Sequence, residues 1–227
     1  MRAIEKGPEP AALQAYRAVP GAIYDGKDFT PVKDEVRRAL LGDQYYLCCY
    51  CLRRISQELR AHPTKPDAPA VVQMKIEHWQ CQERFPRLQL VWSNLLGACL
   101  GGEGSPRSSQ TCDSRKGETA ITINPMDPVH MATLRCTSAG HLESTNATFQ
   151  ADIDERLGLN HVILVRERKT MLDRALGPLK TLYPTATIPL SKVRTLIEKI
   201  ETPTNGRLPE LCNVLRLWAR KRYGEAL

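Results

Sequence analysis

Cys48 and Cys51 are separated by two residues, the spacing with which one tight turn presents two thiolates to a tetrahedral zinc ion. One such pair is half a zinc site. Cys99 and Cys112 are the best pair to close the set at four sulfur ligands, although twelve residues lie between them, most of them in the stretch Gly101–Gln110. An insertion of this kind is tolerable, because each doubling of a flexible loop adds only about 0.6 kcal/mol of closure entropy. Two alternatives stay open: Cys99 as a core residue of the run Leu95–Leu100, and Cys49 as a substitute ligand one residue off the spacing. Cys81, Cys136 and Cys212 have no companion and read as structural.

Zinc saturated by four thiolates has no open position and does no chemistry. Reactive groups must come from the residues between and beside the cysteines: Glu77-His78, Asn94, and Asp113 with Lys116. Glu77 and Asp113 are hard carboxylates suited to a second metal, Mg²⁺ or Mn²⁺. His78 can be neutral near pH 7 and so could take a proton from water. Such a metal would bind a scissile phosphate and stabilise charge on the leaving oxygen. Singly, each signal is weak, since Glu-His is a common dipeptide and a lone His is more often structural. The order Cys-x-x-Cys, Glu-His, Asn, Cys, Cys-Asp-x-x-Lys carries the reading. A zinc deaminase needs His-x-Glu ahead of a Pro-Cys-x-x-Cys pair, an order this chain does not contain.

These groups need elements to hold them. Residues 1–30 are rich in Pro, Gly and Ala, with a short helix opened by Leu13 and Tyr16. Pro31–Gly42 has the Pro start, the apolar stripe Val32, Val36, Leu40 and Leu41, and the Gly stop of a helix. Gln44–Ile55 is short, aromatic and β-prone, which suits a hairpin carrying the metal knuckle. His62–Pro69 reads as loop, Val71–His78 as a strand ending at Glu77-His78, and Val91–Leu100 as a compact apolar run around Asn94. Gly101–Gln110 has the composition of a mobile loop, and Cys112–Gly117 reads as a first helical turn with Asp113 or Ser114 near its cap. Short β-like pieces fill Ile121–Phe149, and helices dominate from about Asp152. The last helix spans Pro209–Tyr223, with Leu208, Leu211, Val214, Leu215 and Trp218 facing a core and a basic face for DNA or a partner as the alternative. The fold class is α+β: a zinc-stapled core at 44–125, an N-terminal arm and helix at 1–43, and a β-containing middle with a mainly helical C-terminal part at 126–227.

With 227 residues, 42% of them apolar, the chain is long enough for one sizeable core and is not disordered throughout. No apolar run reaches the roughly 20 residues of a membrane span, and no apolar segment follows the basic residue at the N-terminus, so a cytoplasmic location is expected. In a reducing cytosol, clustered cysteines point to metal rather than disulfides. The net charge of +7 favours a polyanionic partner, but only mildly.

The order of these residues resembles the ββα-metal, or HNH, endonuclease module in its zinc-stapled form. More specifically it resembles the HNH nuclease subunit of Septu-type anti-phage defence (PtuB-like), a family also found as a retron-associated HNH endonuclease. The matching stretches are Met1–Gly7, Cys48-Cys-Tyr-Cys51, Ile76-Glu-His78, Trp92–Cys99, Cys112–Gly117 and Ile123-Asn-Pro125, covering roughly residues 1–125. The resemblance implies that His78 is the general base and that Glu77 and Asp113 hold Mg²⁺ or Mn²⁺. It further implies that Asn94 secures the loop that aims His78, that Lys116 contacts phosphate, and that Cys48, Cys51, Cys99 and Cys112 bind a structural Zn²⁺. Asp113 departs from the His or Asn often found at that position, which bears on metal preference. A further implication is a partner, an ABC-type ATPase that regulates the nuclease; the helical segment 150–227 is compatible with a docking surface for it, with a lid on the nuclease core as the alternative. The expected function is hydrolysis of nucleic acid, DNA favoured. The competing reading is a non-catalytic, zinc-stapled module that binds nucleic acid or a partner.

Overall fold

The computed structural model describes residues 1–61 and 69–224. All but the last residue of the loop expected at His62–Pro69 lies outside them. After ten residues without regular structure come α1 (Ala11–Arg17) and α2 (Thr30–Asp43). The latter is the helix expected at Pro31–Gly42, extended by one residue at each end, with Val32, Val36, Leu40 and Leu41 buried. Phe29, fully buried before α2, sits between the rings of Tyr16 and Tyr24 at centroid distances of 5.0 and 4.8 Å. These aromatic contacts fasten the arm to the helix.

The middle of the chain holds β1 (Leu59–Arg60), β2 (Val71–Val72), β3 (Lys75–His78) and β4 (Leu95–Ala98), followed by the short helix α3 (Cys112–Lys116). β1 pairs with β2, and β3 pairs antiparallel with β4, placing His78 opposite Leu95 and Lys75 opposite Ala98. The single strand expected over Val71–His78 is thus two strands in two separate sheets. The hairpin expected at Gln44–Ile55 is instead a tight knuckle closed by one bridge, Leu47 to Arg54, with Tyr45, Tyr46 and Leu52 at positive φ. Thr111 stands at the N-cap position of α3 without a side-chain capping bond, and Asp113 lies in the first turn, near the cap as expected; the Ser114 hydroxyl donates to the Leu100 carbonyl at 2.7 Å. The Gly101–Gln110 loop is internally bonded, with Thr111 N–H donating to the Gly101 carbonyl at 2.8 Å. Gly101 has φ +54°, and a Cβ there would lie 2.1 Å from the Thr111 carbonyl oxygen, so only glycine closes this loop.

Beyond residue 126 come α4 (Pro128–Ala132), the hairpin β5 (Leu134–Cys136) and β6 (Leu142–Ser144), and α5 (Ala147–Ala151), which runs on as a π-helical turn over Asp152–Arg156. Asp127 and Asn146 cap α4 and α5 by accepting backbone N–H bonds. α6 (Val162–Leu182), α7 (Leu190–Glu201) and α8 (Val214–Tyr223) complete the chain. α8 begins later than Pro209 because Leu208–Asn213 turns to grip the knuckle: Leu211, at φ +58°, donates its N–H to the Leu52 carbonyl. Its Val214, Leu215, Leu217, Trp218 and Ala219 are buried, and Arg216, Arg220 and Lys221 bond to Glu201, the Met131 carbonyl and Glu143. The core-facing stripe is therefore what α8 presents, and its cations are largely used inside the molecule.

One hydrophobic cluster runs from Met1 to Ala219 and draws on all three stretches of the chain. Arg53 forms a two-pronged bond to Glu167 on α6 at 2.7 and 2.8 Å, tying the knuckle to the C-terminal helices. The result is a mixed α and β protein with small sheets. No helix among the described residues is long and apolar enough to cross a membrane.

Candidate metal centre and active site

The ligand atoms of Cys48, Cys51, Cys99 and Cys112 lie within 4.8 Å of one another, and all four residues are buried. The Cys51–Cys99 sulfur separation is 3.7 Å. Tetrahedral zinc with Zn–S bonds near 2.3 Å requires an edge of about 3.8 Å, so the donor set fits the ion. The knuckle supplies two ligands from one turn, the end of β4 supplies Cys99, and the start of α3 supplies Cys112. Gln44 staples these parts together: its side chain donates to the Leu47 and Gly97 carbonyls at 2.8 and 2.7 Å and accepts the Gly97 N–H at 2.6 Å. A Cβ on Gly97 would fall 2.9 Å from the Ile55 terminal methyl and 3.2 Å from the Gln44 amide nitrogen, so a larger residue would push these side chains aside. Cys112 holds φ +56° with its N–H bonded to the Leu157 carbonyl. A left-handed non-glycine conformation costs on the order of 1 kcal/mol, and persists because its surroundings enforce it.

The thiols share protons unevenly. Burial opposes a Cys48 thiolate, but bonds from Cys112, Cys49, Cys51 and Cys99 outweigh it and hold its pKa well below the ordinary thiol value. Bonds to Cys48 and Cys51, with burial, push Cys112 up. Cys49 lies outside the cluster, its N–H bonded to the Gly97 carbonyl and its thiol pushed up by burial. Cys81, Cys136 and Cys212 are likewise buried and outside it.

Beside this cluster, β3, β4 and α3 bring Glu77, His78, Asp113 and Lys116 to one cavity of about 270 Å³, also lined by Ser114 and Glu118. Glu77 is 1% exposed and its Oε1 accepts from Tyr50 Oη at 2.7 Å and Lys116 Nζ at 2.8 Å. Burial, reinforced by the nearby Asp113 charge, pushes the Glu77 pKa well up despite Lys116. Burial also opposes ionisation of Asp113, yet the bond from Glu77 and the Lys75 ammonium, 3.1 Å away, hold it below the ordinary carboxylate range. The two neighbouring carboxyls are thus driven in opposite directions, Glu77 up and Asp113 down. Two hard carboxylates brought together from β3 and α3 are a fitting partial donor set for Mg²⁺ or Mn²⁺.

Lys116 lines the same cavity. Its ammonium is buried, donating to the His78 carbonyl at 2.8 Å and to Glu77, and so bridges β3 and α3 inside the site. The physical reason is that a buried carboxyl draws the nearest cation inward.

His78 ends β3 with 6% exposure. Its Nε2 lies 2.9 Å from the Gln89 carbonyl oxygen, a bond only an N–H can make, which leaves Nδ1 as the basic nitrogen. Burial, aided by Lys116, holds the His78 pKa below the ordinary value against that opposing bond. Asn94, just before β4, clasps the loop between the strands: its Oδ1 accepts the Gln80 N–H at 2.8 Å, and its Nδ2 donates to the Gln80 and Leu88 carbonyls at 3.0 and 3.2 Å.

Four neighbours escaped the sequence reading. Lys75 shares the β3 face of Glu77 by strand alternation, a signal that was available. Tyr50 sits inside the Cys-x-x-Cys turn and reaches Glu77. Gln89 holds His78, and Tyr24 packs its ring edge-on to the imidazole at 4.4 Å; neither has a local sequence signal. No protein-family model matches the chain, and no curated protein matches it.

Proposed function

We propose that the β3–β4 hairpin and α3 form a ββα-metal core and that the protein is an HNH-type endonuclease, a metal-dependent phosphodiester hydrolase acting on nucleic acid, with DNA favoured. The observation that carries this reading is the convergence of Glu77, His78 and Asp113 on one cavity next to the four-cysteine cluster, with Asn94 securing the loop between the strands. His78, fixed by its bond to Gln89 and kept neutral by burial, takes the proton of the attacking water at Nδ1. Glu77 and Asp113 would hold Mg²⁺ or Mn²⁺, which supplies charge stabilisation at the phosphate and the leaving oxygen. Asn94 keeps the His78–Gln89 bond in register, and the cysteine cluster with Zn²⁺ ties the knuckle, β4 and α3 into one rigid support. Assignment to the effector subunit of a Septu-type or retron-associated defence complex, with an ABC-type ATPase docking on the C-terminal helices, belongs to the same proposal and rests on the resemblance alone.

One observation favours the second reading, a zinc-stapled binding module without catalysis: the Lys116 ammonium already lies against Glu77 and the Lys75 ammonium against Asp113. Cleavage decides between them. The purified protein is incubated with supercoiled plasmid and, separately, total RNA, with Mg²⁺, Mn²⁺ or EDTA, alone and with a neighbouring ATPase, beside a His78→Ala variant. Metal-dependent cutting that vanishes in the variant establishes the nuclease. Unchanged binding with no cutting in any arm establishes the binding module.

A further inference from the structure

The loop joining β3 to β4 is held from inside by Asn94 and from outside by the N-terminal arm. Lys6 Nζ donates to the Leu95 carbonyl at 2.9 Å, and Trp92 Nε1 donates to the Gly7 carbonyl at 2.9 Å, which secures the end of the loop nearest β4. Nearer its middle, Gln89 makes two bonds at once. Its backbone carbonyl accepts from His78 Nε2, and its side-chain Oε1 accepts the Tyr24 N–H at 2.9 Å. The Tyr24 ring meets the imidazole at 4.4 Å with an interplanar angle of 84°. Tyr24 is itself anchored against Phe29 at the head of α2. The imidazole is therefore caught between a carbonyl and a ring, and one residue, Gln89, connects the two restraints.

Building on the nuclease reading, we propose that Tyr24 and Gln89 are positioning residues for His78: the arm, through the Tyr24 ring and the Gln89 clip, keeps the imidazole in one orientation and one tautomer beside the cavity. Tautomer follows from the carbonyl bond, because a ring whose Nε2–H is held presents Nδ1 as the acceptor. Orientation follows from the edge-on contact, which blocks rotation of the imidazole toward the arm. The Tyr24 hydroxyl makes no hydrogen bond among the described residues, so the ring and not the hydroxyl does the holding. A displacement near 1 Å of a reacting group lowers turnover by about a hundredfold, so loss of either restraint reaches the rate without touching the substrate.

The test uses the full chain labelled with ¹⁵N-histidine, in wild-type, Tyr24→Phe, Tyr24→Ala and Gln89→Leu forms, read by imidazole NMR and by cleavage kinetics. In the wild type and in Tyr24→Phe, His78 is expected as a single Nε2–H tautomer with its ring protons shifted by the neighbouring aromatic ring. In Tyr24→Ala the ring shift is lost and a second tautomer appears. There, kcat is expected to fall at least tenfold with KM within twofold, and Gln89→Leu moves both readouts in the same direction by less. An unaltered tautomer and kcat in Tyr24→Ala overturn the proposal, as does an equal loss in Tyr24→Phe. Should Tyr24→Ala not fold, Gln89→Leu, which removes only a half-buried acceptor, decides by the same readouts. If the wild type cuts nothing, the nuclease reading falls on its own, and the NMR comparison still determines whether the arm holds the imidazole.

Discussion

Lys116 Nζ lies 2.8 Å from Glu77 Oε1, and both side chains are 1% exposed. An ion pair this deep inside is held by its own geometry, since neither partner has water to fall back on. The ammonium also stands where a divalent cation on Glu77 and Asp113 would have to compete. Lys116→Met is expected to lower stability by about 3 kcal/mol, the low end for breaking a buried pair. The sign with pH follows from Glu77, whose folded pKa is raised by burial and rises further without the ammonium. The folded state then keeps a proton that the unfolded chain releases, so the variant loses stability as pH climbs above the ordinary carboxylate range, more steeply than the wild type. Urea unfolding at pH 5 and pH 8 measures this, and Mn²⁺ titration by electron paramagnetic resonance is expected to show tighter binding in the variant. Unchanged Mn²⁺ affinity would mean that the ammonium does not compete for the site.

The four sulfur ligands make a second prediction. Cys51→Ser leaves three thiolates and is expected to abolish stoichiometric zinc and the cooperative unfolding transition, because an ion held by all four sulfurs would join the knuckle, β4 and α3. Cys49→Ser, one residue from Cys48 but outside the cluster, should retain zinc and lose about 1–2 kcal/mol for burying a hydroxyl. Zinc content by elemental analysis, with thermal unfolding of both variants, separates them; zinc lost equally from both would count against the assigned ligand set.

Legibility in the sequence tracked how local each signal is. The α2 stripe is read directly from Val32, Val36, Leu40 and Leu41, with Pro31 marking the start, because the 3.6-residue period is a property of the segment itself. The cysteine set was legible because thiolate chemistry narrows the partners to a few residues. The knuckle was misread as a hairpin: Tyr45, Tyr46 and Leu52 adopt positive φ, a conformation their residue types do not advertise. Lys116 was legible as a site residue, whereas its bond to Glu77 depends on Glu77 being buried. Tyr24 and Gln89 are 65 residues apart, and Lys6 and Leu95 are 89 apart, so nothing periodic in either neighbourhood marks the contact.

Lys6 supplies the pH prediction. Burial lowers its pKa to about 7, against the opposing pull of Asp43, while its ammonium position lies over the Trp92 ring and against the Leu95 carbonyl. The folded value is depressed below the unfolded one, so between about pH 7 and the ordinary lysine range near 10.5 the unfolded chain carries the extra proton. Stability from this group therefore rises with pH across that window, with a slope of at most about 1.4 kcal/mol per pH unit. Lys6→Met has no proton to lose and is expected to flatten the rise. Urea unfolding of both proteins from pH 6 to 10 isolates the group by difference; parallel curves would show that Lys6 does not titrate in this range.

Asn94 separates loop restraint from core packing. Its side chain makes three bonds to the loop between β3 and β4, at 2.8, 3.0 and 3.2 Å, and it is 4% exposed. Asn94→Ala leaves the Gln80 N–H and two carbonyls without partners, which at about 1 kcal/mol apiece lowers stability by about 2–3 kcal/mol. On the nuclease reading the loop then carries the Gln89 carbonyl away from His78 Nε2, and single-turnover cleavage should fall about a hundredfold at saturating substrate, with substrate affinity within twofold. Asn94→Asp retains the acceptor for the Gln80 N–H but has no donor for the two carbonyls, so it should recover part of the stability and little of the rate. Rates measured well below each variant's melting temperature keep the two effects apart. A rate that follows stability alone through both variants would reduce Asn94 to a packing residue and remove the link from the loop to His78.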